Sequence, residues 1–276
     1  MDMQGYAERN REAWNQVAPI HREGRKVDLR QEVAQDSFNV LDEVARDALG
    51  RIGVSGKKVA QLCCNNGREL LSVLKMGAAY GVGFDISDDF IEEARELATL
   101  SGTHCDFVRT NVLDIGHGYD EAFDLLIFTV GALCWLDDLQ PAFSVAARLL
   151  RPGGHLFIHE LHPFTDMMAV EGDEGYDAGD ELKIVRSYFK REPWIDEDGL
   201  DYIVGTTYDA KTTISFPHTM SETISAIAGN GLVILELREY GQDIADSFAH
   251  LEKYGKLPLS YSLVGRKDAG RANGQV

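Results

Sequence analysis

A short apolar segment followed by a polar turn holds the most informative residues of this chain. The segment VAQLCCNNGRELL, residues 59–71, predicts a strand, a tight turn that includes Gly67, and a helix. The segment GVGFDIS predicts a second strand that ends on the carboxylate of Asp85, eighteen residues after Gly67. Backbone N–H groups of such a turn can bind the anionic end of a ligand, and the acid can accept hydrogen bonds from a ribose. The spacing therefore indicates a site for a nucleotide-type ligand.

The turn differs from the glycine-rich loops that usually surround such ligands. Cys63, Asn65 and Asn66 precede Gly67, which is the one glycine left. Asparagine adopts a left-handed backbone more readily than other non-glycine residues, so we expect Asn65 and Asn66 to form the turn. The missing GxGxxG pattern disfavours an NAD-dependent dehydrogenase.

Polar residues also stand at the end of a later apolar strand, in the segment LFIHELHPF. It lacks the helical HExxH register of zinc enzymes and follows a strand, so we expect no metal site there. Four cysteines show no CxxC pair and mostly lie in or beside apolar runs: Cys63, Cys64, Cys105 and Cys134. This usage favours reduced thiols in a cytoplasmic protein.

Alternating strands and helices must position these residues. Apolar runs predict strands at 58–63, 79–84, 105–109, 123–129 and 154–161. Helical spacing predicts helices at 66–76, 88–100 and 138–151. The alternation predicts a parallel sheet with right-handed crossovers, which binds ligands at the carboxyl ends of its strands.

The two ends of the chain are organised differently. Helical spacing predicts helices at 7–18 and 33–49, while the acidic segment 166–180 predicts a surface loop that acts as a lid. Strand-like runs follow at 182–189 and 201–216. The last elements are a helix at 220–229, capped by Thr219 or Ser221 with help from Glu222, and strands at 232–239 and 259–265. We expect these two strands to form an antiparallel pair at one edge of the sheet.

Composition narrows the class of protein. The 276 residues are 44% hydrophobic and 9% aromatic and carry a formal net charge of −18, as in folded soluble domains with acidic surfaces. Such a charge repels phosphate backbones, so we expect no nucleic-acid partner, and the basic segment HREGRK is interpreted as a solvated helix end. The absence of an apolar run of about 18 residues predicts no membrane span. The polar first residues are unlike a signal peptide.

Five segments occur in one order that matches a known family. They are VAQLCCNNG, GVGFDIS, FVRTNVLDI, FDLLIFTVGALCWLDDL and LLRPGGHLFIHELHPF. In this order the chain resembles the class I S-adenosylmethionine-dependent methyltransferases, and within them the small-molecule group often called type 11. The match runs from about residue 55 to 165 and more loosely through the last strands. The resemblance implies an α/β, Rossmann-like, mostly parallel seven-stranded sheet flanked by helices.

The resemblance also implies which residues contact the cofactor, S-adenosylmethionine. The turn would approach its methionine portion above Thr129, and Asp85 would accept bonds from the ribose hydroxyls. Asn111 would bond the adenine amine, although a helix cap for Asp85 and a plain turn role for Asn111 stay open. The full set of expected cofactor contacts is Cys63, Asn65, Gly67, Asp85, Ile86, Asn111, Val112, Thr129, Tyr6 and His21.

In methyl transfer, the protein has to orient the acceptor and, with O or N acceptors, to remove a proton from it. Candidate bases therefore lie beyond the strand ends: His162, Glu160 and, before the late helix, His218. A hydrogen-bonded structural histidine is the alternative for both histidines. Trp14 and Trp135 could line the cofactor or acceptor cavity or simply pack in the core.

We expect one domain over 1–276. Its parts are an N-terminal helical cover (1–50), a cofactor-binding core (55–161), a substrate lid or insertion (162–216), and a C-terminal helix with edge strands (217–266). The function implied is methylation of a small-molecule acceptor, with O or N slightly preferred. Gln61 replaces the family's usual acid, and Cys63 and Asn65 replace its first two glycines. This altered first turn keeps open a non-catalytic cofactor-binding scaffold, and an enzyme that uses the same fold for other chemistry is a further alternative. The acceptor and the oligomeric state stay open.

Overall fold

The computed structural model describes residues 3–269, which form a sheet covered by helices on both faces. Seven helices are α1 Met3–Gly24, α2 Leu29–Glu32, α3 Glu43–Ile52, α4 Arg68–Lys75, α5 Asp88–Ser101, α6 Leu139–Leu149 and α7 Met220–Gly229. Nine strands are β1 Lys58–Leu62, β2 Tyr80–Asp85, β3 Cys105–Arg109, β4 Phe123–Phe128, β5 Leu150–Leu161, β6 Trp194–Asp196, β7 Thr213–Ser215, β8 Leu232–Tyr240 and β9 Ser260–Lys267. Within the described residues, no helix combines the length and the apolar character that crossing a membrane requires.

Seven of the strands form one mostly parallel sheet. The strand order is β3-β2-β1-β4-β5-β9-β8, in which β1 to β5 run parallel and β9 is antiparallel to both neighbours. The order reverses direction between β1 and β4, which is where open α/β sheets place their ligands. The predicted Rossmann-like sheet and its antiparallel edge pair are confirmed.

Alternating side chains of the strands fill two cores. In β1, Ala60 and Leu62 face the core beneath α6 and α7, while Val59 faces the core beneath α3 and α4. Both faces of the strand are apolar because helices cover both sides of a parallel sheet. Helix ends follow their polar signals: Ser87 caps α5, and Thr219 forms a capping box with Glu222 at the start of α7.

The helix predicted at 33–49 is wrong over its first half. The chain instead forms the short α2, an irregular stretch over 33–42, and α3, which begins after the N-cap Asp42. Asn39 accepts a hydrogen bond from the amide of Leu41, and Ser72 accepts one from Val40. These side-chain bonds replace helical ones, while the apolar residues of the stretch still pack into the core.

The strands predicted at 182–189 and 201–216 are also largely wrong. The first segment contains no strand, and of the second only Thr213–Ser215 pairs, with Trp194–Asp196, in a separate two-stranded sheet. Apolar residues such as Ile184 and Phe189 stay exposed. A strand pattern forms a sheet only where a partner strand is available, and this segment has little of the main sheet beside it.

Candidate functional site

The carboxyl ends of the parallel strands bring most of the predicted cofactor contacts to one edge of the sheet. Leu62 of β1 pairs with Phe84 of β2, and Asp85 pairs with Arg109 of β3, so these strands end level with each other. The residues gathered at this edge are Cys63, Asn65, Gly67, Asp85, Ile86, Asn111, Val112 and Thr129. Six of them keep partly exposed side chains there: Cys63, Asn65, Asp85, Ile86, Asn111 and Thr129.

The turn after β1 keeps a glycine-type backbone although two of its glycine positions are substituted. The φ angles are 53° at Cys63, 49° at Asn65 and 75° at Gly67. A left-handed conformation costs an L-residue roughly 1–2 kcal/mol, so surrounding contacts must hold Cys63 in place. Asn66 lies in the turn as expected but without a positive φ, and Cys63 adopts the left-handed conformation in addition to Asn65. Burial raises the pKa of the Cys63 thiol well above its usual range, which keeps the thiol protonated.

Gly67 is required by space as well as by its backbone angle. A Cβ atom at this position would lie 2.3 Å from two ring atoms of Phe107. The same ring lies 2.5 Å from the Cβ that a side chain at Gly83 would carry. Phe107 therefore packs directly on the backbone of the turn and of β2, and only glycines allow this approach.

Asp85 joins the turn to the following helix. Its Oδ2 accepts a hydrogen bond from the Asn65 amide at 2.7 Å, and its Oδ1 accepts one from the Ser87 amide at 2.9 Å. Burial raises the pKa of Asp85, while these two bonds lower it. A carboxylate has about four lone-pair sites, so each oxygen still has capacity for a hydroxyl donor. The residue supports the turn and offers acceptors to a ligand at the same time.

Gln61 lies beneath this edge with an unsatisfied acceptor. Its Nε2 donates to the Thr129 hydroxyl at 3.0 Å, while its Oε1 is buried and has no partner among residues 3–269. An unpaired buried carbonyl costs about 1–3 kcal/mol, which a donor on a bound ligand or a water would recover. The neutral amide supplies no charge where the family commonly has a carboxylate.

Asn111 starts the turn after β3. Its Oδ1 accepts a hydrogen bond from the Leu113 amide at 3.0 Å and so caps the short 3₁₀ helix Val112–Asp114. A carbonyl oxygen accepts two bonds, so one site remains beside the cofactor edge. Val112 is buried in the core beneath α6, and Ile86 is half-buried at the end of β2.

Glu160 binds the loop that follows β4. Its Oε2 accepts from the amide of Gly131 at 2.7 Å, and its Oε1 accepts from those of Ala132 at 2.7 Å and Leu133 at 3.0 Å. Burial raises the pKa of Glu160 to about 7, although the three amides favour its charged form. Its carboxylate is occupied by backbone and shapes the wall of the site.

His162 has both ring nitrogens engaged by protein groups. Nδ1 accepts from the Phe164 amide at 3.1 Å, which places the proton on Nε2, where it is donated to Glu239 at 2.9 Å. Burial lowers the pKa of His162 and favours this neutral form. His159 points to the opposite face, toward Asp42. In this arrangement neither nitrogen of His162 can receive a proton from a substrate.

His218 keeps one lone pair. Its Nε2 lies 2.7 Å from the carbonyl oxygen of Leu136, which can only accept, so Nε2 carries the proton and Nδ1 does not. Burial lowers the pKa of His218, so the ring is neutral near pH 7. The contact ties the segment before α7 to the loop after β4.

Helix α1 packs against the insertion through aromatic and polar side chains. Tyr6 lies 5.4 Å from the ring of Phe216, and the Trp14 ring lies edge-on to Trp135 at 5.2 Å. The buried His21 donates through Nε2 to the carbonyl of Leu200 at 2.9 Å. His21 and Tyr6 thus pack on residues 200–216 of the insertion.

Two polar contacts fix this cover to the rest of the molecule. Asn10 donates to the carbonyl of Ile214 at 2.7 Å and accepts from its amide at 2.8 Å. Asn15 donates to Asp88 at 3.0 Å and accepts from the Ser87 hydroxyl at 2.7 Å. The cover and the insertion therefore act together, next to the strand end that carries Asp85.

Sequence reasoning missed two residues, one packed on this turn and one beyond the end of β5. Phe107 was expected only as part of a strand, and Asp166 only as part of an acidic loop. Asp166 lies in the 3₁₀ helix Pro163–Met167, directly after β5, with a partly buried side chain. Asp166 lies five residues after Leu161, the last residue of β5, and ligands of parallel sheets bind near such strand ends.

Comparison with known proteins supports this geometry. Residues 60–158 match the family described as "Methyltransferase domain". A ubiquinone biosynthesis O-methyltransferase of Vibrio atlanticus is 29% identical over 110 residues, covering 40% of this chain and 46% of that protein. The chain thus spans about half the length of this curated relative. The resemblance drawn from the five segments is confirmed.

Solved structures share the fold. An S-adenosylmethionine-dependent methyltransferase from Mesorhizobium loti superposes with a TM-score of 0.60 at 23% identity, covering 80% of this chain and 96% of that one. The [4+2]-cyclase SpnF superposes with a TM-score of 0.54 at 17% identity, covering 94% of this chain and 95% of that one. At these identities the likeness shows the fold alone.

Proposed function

This chain belongs to the class I S-adenosylmethionine-dependent methyltransferases, and from that premise we propose that it methylates a small-molecule acceptor with this cofactor. The observation that carries the proposal is the strand edge around Asp85. There, a turn with glycine-type angles at positions 63, 65 and 67 lies beside a carboxylate that retains free acceptor sites. This is the arrangement that a ligand with a ribose and a zwitterionic end requires.

The residues present fit the cofactor. Gly67 leaves the turn open for close backbone approach, and Asp85 can accept from the ribose hydroxyls. Gln61 offers a buried carbonyl oxygen without a partner in the described part of the chain, which suits a donor such as an ammonium group. The bound cofactor supplies a methyl group already activated by its sulfonium. The protein then has to orient the acceptor, exclude water and accept a proton.

The acceptor is proposed to be a hydroxyl compound. The Vibrio relative is named as an O-methyltransferase, and aromatic rings of the cover pack on rings of the insertion and of the loop after β4, which would suit contact with a small organic molecule. The net charge of −18 argues against nucleic acid as the substrate. We also propose a cytoplasmic location, which the four free thiols support.

A second candidate is a protein that binds the cofactor without methylating an acceptor, or that carries out other chemistry on this fold. Two observations favour it. Gln61 is neutral where the family commonly has a negatively charged acid, and Cys63 has a side chain where the family has glycine. Both changes act on cofactor binding more directly than on acceptor binding.

Calorimetric titration with S-adenosylmethionine and S-adenosylhomocysteine tests the proposal. Asp85→Asn should weaken binding about 10- to 100-fold, since a hydrogen bond to a charged group is worth about 1.5–3 kcal/mol. The matched control is Asp114→Asn, which removes the same charge from an exposed position and should bind normally. Thermal unfolding of each variant checks that the turn is still folded.

Three outcomes separate the candidates. No binding by the wild-type protein refutes cofactor use altogether. Equal binding by Asp85→Asn removes the ribose role of this carboxylate. Tight binding with no methylated product across a broad library of hydroxyl and amine compounds favours the second candidate.

A further inference from the structure

A cavity lies between helix α5 and the stretch of chain that runs from the end of α1 into α2. Its volume is about 430 Å³, which is within the range of roughly 300–1,000 Å³ that small-molecule sites usually occupy. The chain from α1 to α2 contributes four cations to its lining and α5 contributes two acids: Arg22, Arg25, Lys26, Arg30, Glu93 and Glu96. None of these residues is among the cofactor contacts or the candidate bases.

The charge of this cavity differs in sign from the charge of the whole protein. Four of the 27 lysines and arginines of the chain fall within residues 22–30, in a protein with a formal net charge of −18. The lining contains these four cations and, with Asp28, three acids, so it carries a net positive charge. Cations gathered at one cavity repel each other, and an anion placed between them would relieve this repulsion.

Arg25 is the buried cation of the cavity. Its guanidinium forms an ion pair with the carboxylate of Glu93, in which Nη2 lies 3.2 Å from Oε2, and the two side chains are 10% and 4% exposed. A guanidinium has five N–H donors, and this pair uses two of them. Arg25 is held in place, because turning away would leave the buried charge of Glu93 without a partner.

Two exposed cations of the lining have no partner. In the described part of the chain, no ion pair or hydrogen bond reaches the side chain of Arg22 or Lys26. Arg30 pairs with Glu96 at 2.9 Å, and Asp28 caps α2 by accepting from the Arg30 amide at 3.0 Å. The helix dipole favours Arg22 in the last turn of α1, but it does not favour Lys26, which follows the helix. The acids of the lining are thus engaged while two of its cations are free.

We propose that this cavity binds a small molecule that carries a pyrophosphate or phosphate group, separate from the cofactor and the acceptor. Arg22 and Lys26 bind the phosphate oxygens nearer to solvent, and Arg25 donates from the buried wall. Guanidinium groups match phosphate oxygens in a bidentate manner, and two unpaired cations favour a ligand with at least two negative charges. The inference goes beyond the proposed methyl transfer and does not depend on it.

The cavity lies close to the cofactor turn, so an experiment has to distinguish the two sites. Glu93 lines the cavity, and its Oε1 is 3.5 Å from the Nδ2 of Asn66 in that turn. The turn is itself a possible anion site, because its backbone N–H groups can bind an anionic ligand. Saturation of the turn with S-adenosylhomocysteine removes this competing site and leaves the cavity accessible.

The first test is calorimetric titration of the full chain with inorganic pyrophosphate, in metal-free buffer at constant ionic strength. The wild-type protein should bind one pyrophosphate, and the double variant Arg22→Gln, Lys26→Gln should bind it about 10- to 100-fold more weakly. The matched control is Arg9→Gln, Arg46→Gln, which removes two charges from exposed positions outside the cavity and should bind as the wild type does. Thermal unfolding checks that all three proteins are folded.

The second test locates the anion. The Nε–Hε resonances of arginines are followed by NMR, and those of Arg22 and Arg25 are identified by their absence from Arg22→Gln and Arg25→Lys. Both should shift when pyrophosphate is added, while the resonance of Arg46 should not. Arg25→Lys keeps the charge but loses the planar fork, so it should also weaken binding.

Three results would overturn the inference. They are no binding by the wild-type protein at about 10 mM pyrophosphate, undiminished binding by the double variant, and binding that saturating S-adenosylhomocysteine abolishes. The last result would place the anion at the cofactor turn. A wild-type protein that binds pyrophosphate but not S-adenosylhomocysteine would refute the proposed methyl transfer and leave this inference standing, because the cavity contains none of the cofactor contacts.

Discussion

Replacing Gly67 with alanine should destabilise the protein through two separable effects, backbone strain and a steric clash. The left-handed φ of 75° costs an alanine roughly 1–2 kcal/mol. The new Cβ would also lie 2.3 Å from the ring of Phe107, which is 4% exposed and has little room to move. Overpacking of this kind costs typically about 1–3 kcal/mol. Together the loss is about 2–5 kcal/mol in the free energy of unfolding.

Gly102 provides a control that isolates the backbone term. It has a φ of 67° at the end of α5, and a Cβ added there meets nothing within 4 Å. Gly102→Ala should therefore cost only roughly 1–2 kcal/mol. Urea denaturation of both variants measures the difference, which reports the contact between residue 67 and Phe107.

A double-mutant cycle completes the test. Phe107→Leu removes the two ring atoms that a Cβ at position 67 would strike, so Gly67→Ala should cost about 1–3 kcal/mol less in this background. Equal losses for Gly67→Ala and Gly102→Ala, or the absence of coupling with Phe107→Leu, would refute the close approach described for this turn.

Two further predictions concern the cover and the pH dependence of stability. Asn10→Ala leaves the amide and carbonyl of Ile214 without partners, so amides of residues 213–215 should exchange hydrogen faster, while the exposed Arg9→Ala should not change them. Burial lowers the pKa of His162 in the folded state, so its contribution is present above the unfolded pKa of about 6.5 and is lost as pH falls below it. His162→Gln should flatten this decline in urea titrations between pH 7 and 5, and an unchanged slope would contradict the assignment.

Much of the fold follows from local patterns of the sequence. The five central strands and the helices between them lie close to their predicted positions, and Ser87 and Thr219 cap the helices that follow them. These features depend on residues a few positions apart, such as a capping side chain and the third amide after it. The two failures, at 33–49 and 182–216, are segments in which contacts with distant residues replace local pairing.

The tertiary structure decides which polar residues are free to act. Glu160 reaches amides 27 to 29 positions away, His162 meets Glu239 77 positions away, and Asn10 meets Ile214 across 204 positions. No spacing in the sequence predicts these pairs. In each pair, the contact uses hydrogen-bonding groups that the sequence alone would leave available for chemistry.

The sequence by itself thus determined the sheet and the match of residues 60–158 to a methyltransferase domain, because alternating apolar residues, caps and turn residues act over short distances. Only the tertiary structure decided that Cys63 adopts a left-handed backbone, that α1 and the insertion form one cover, and which carboxylates are bound. These outcomes depend on hydrogen-bond partners that folding brings together from remote parts of the chain. Because a buried polar group must find a partner, its role is set by whatever donor or acceptor the fold places beside it.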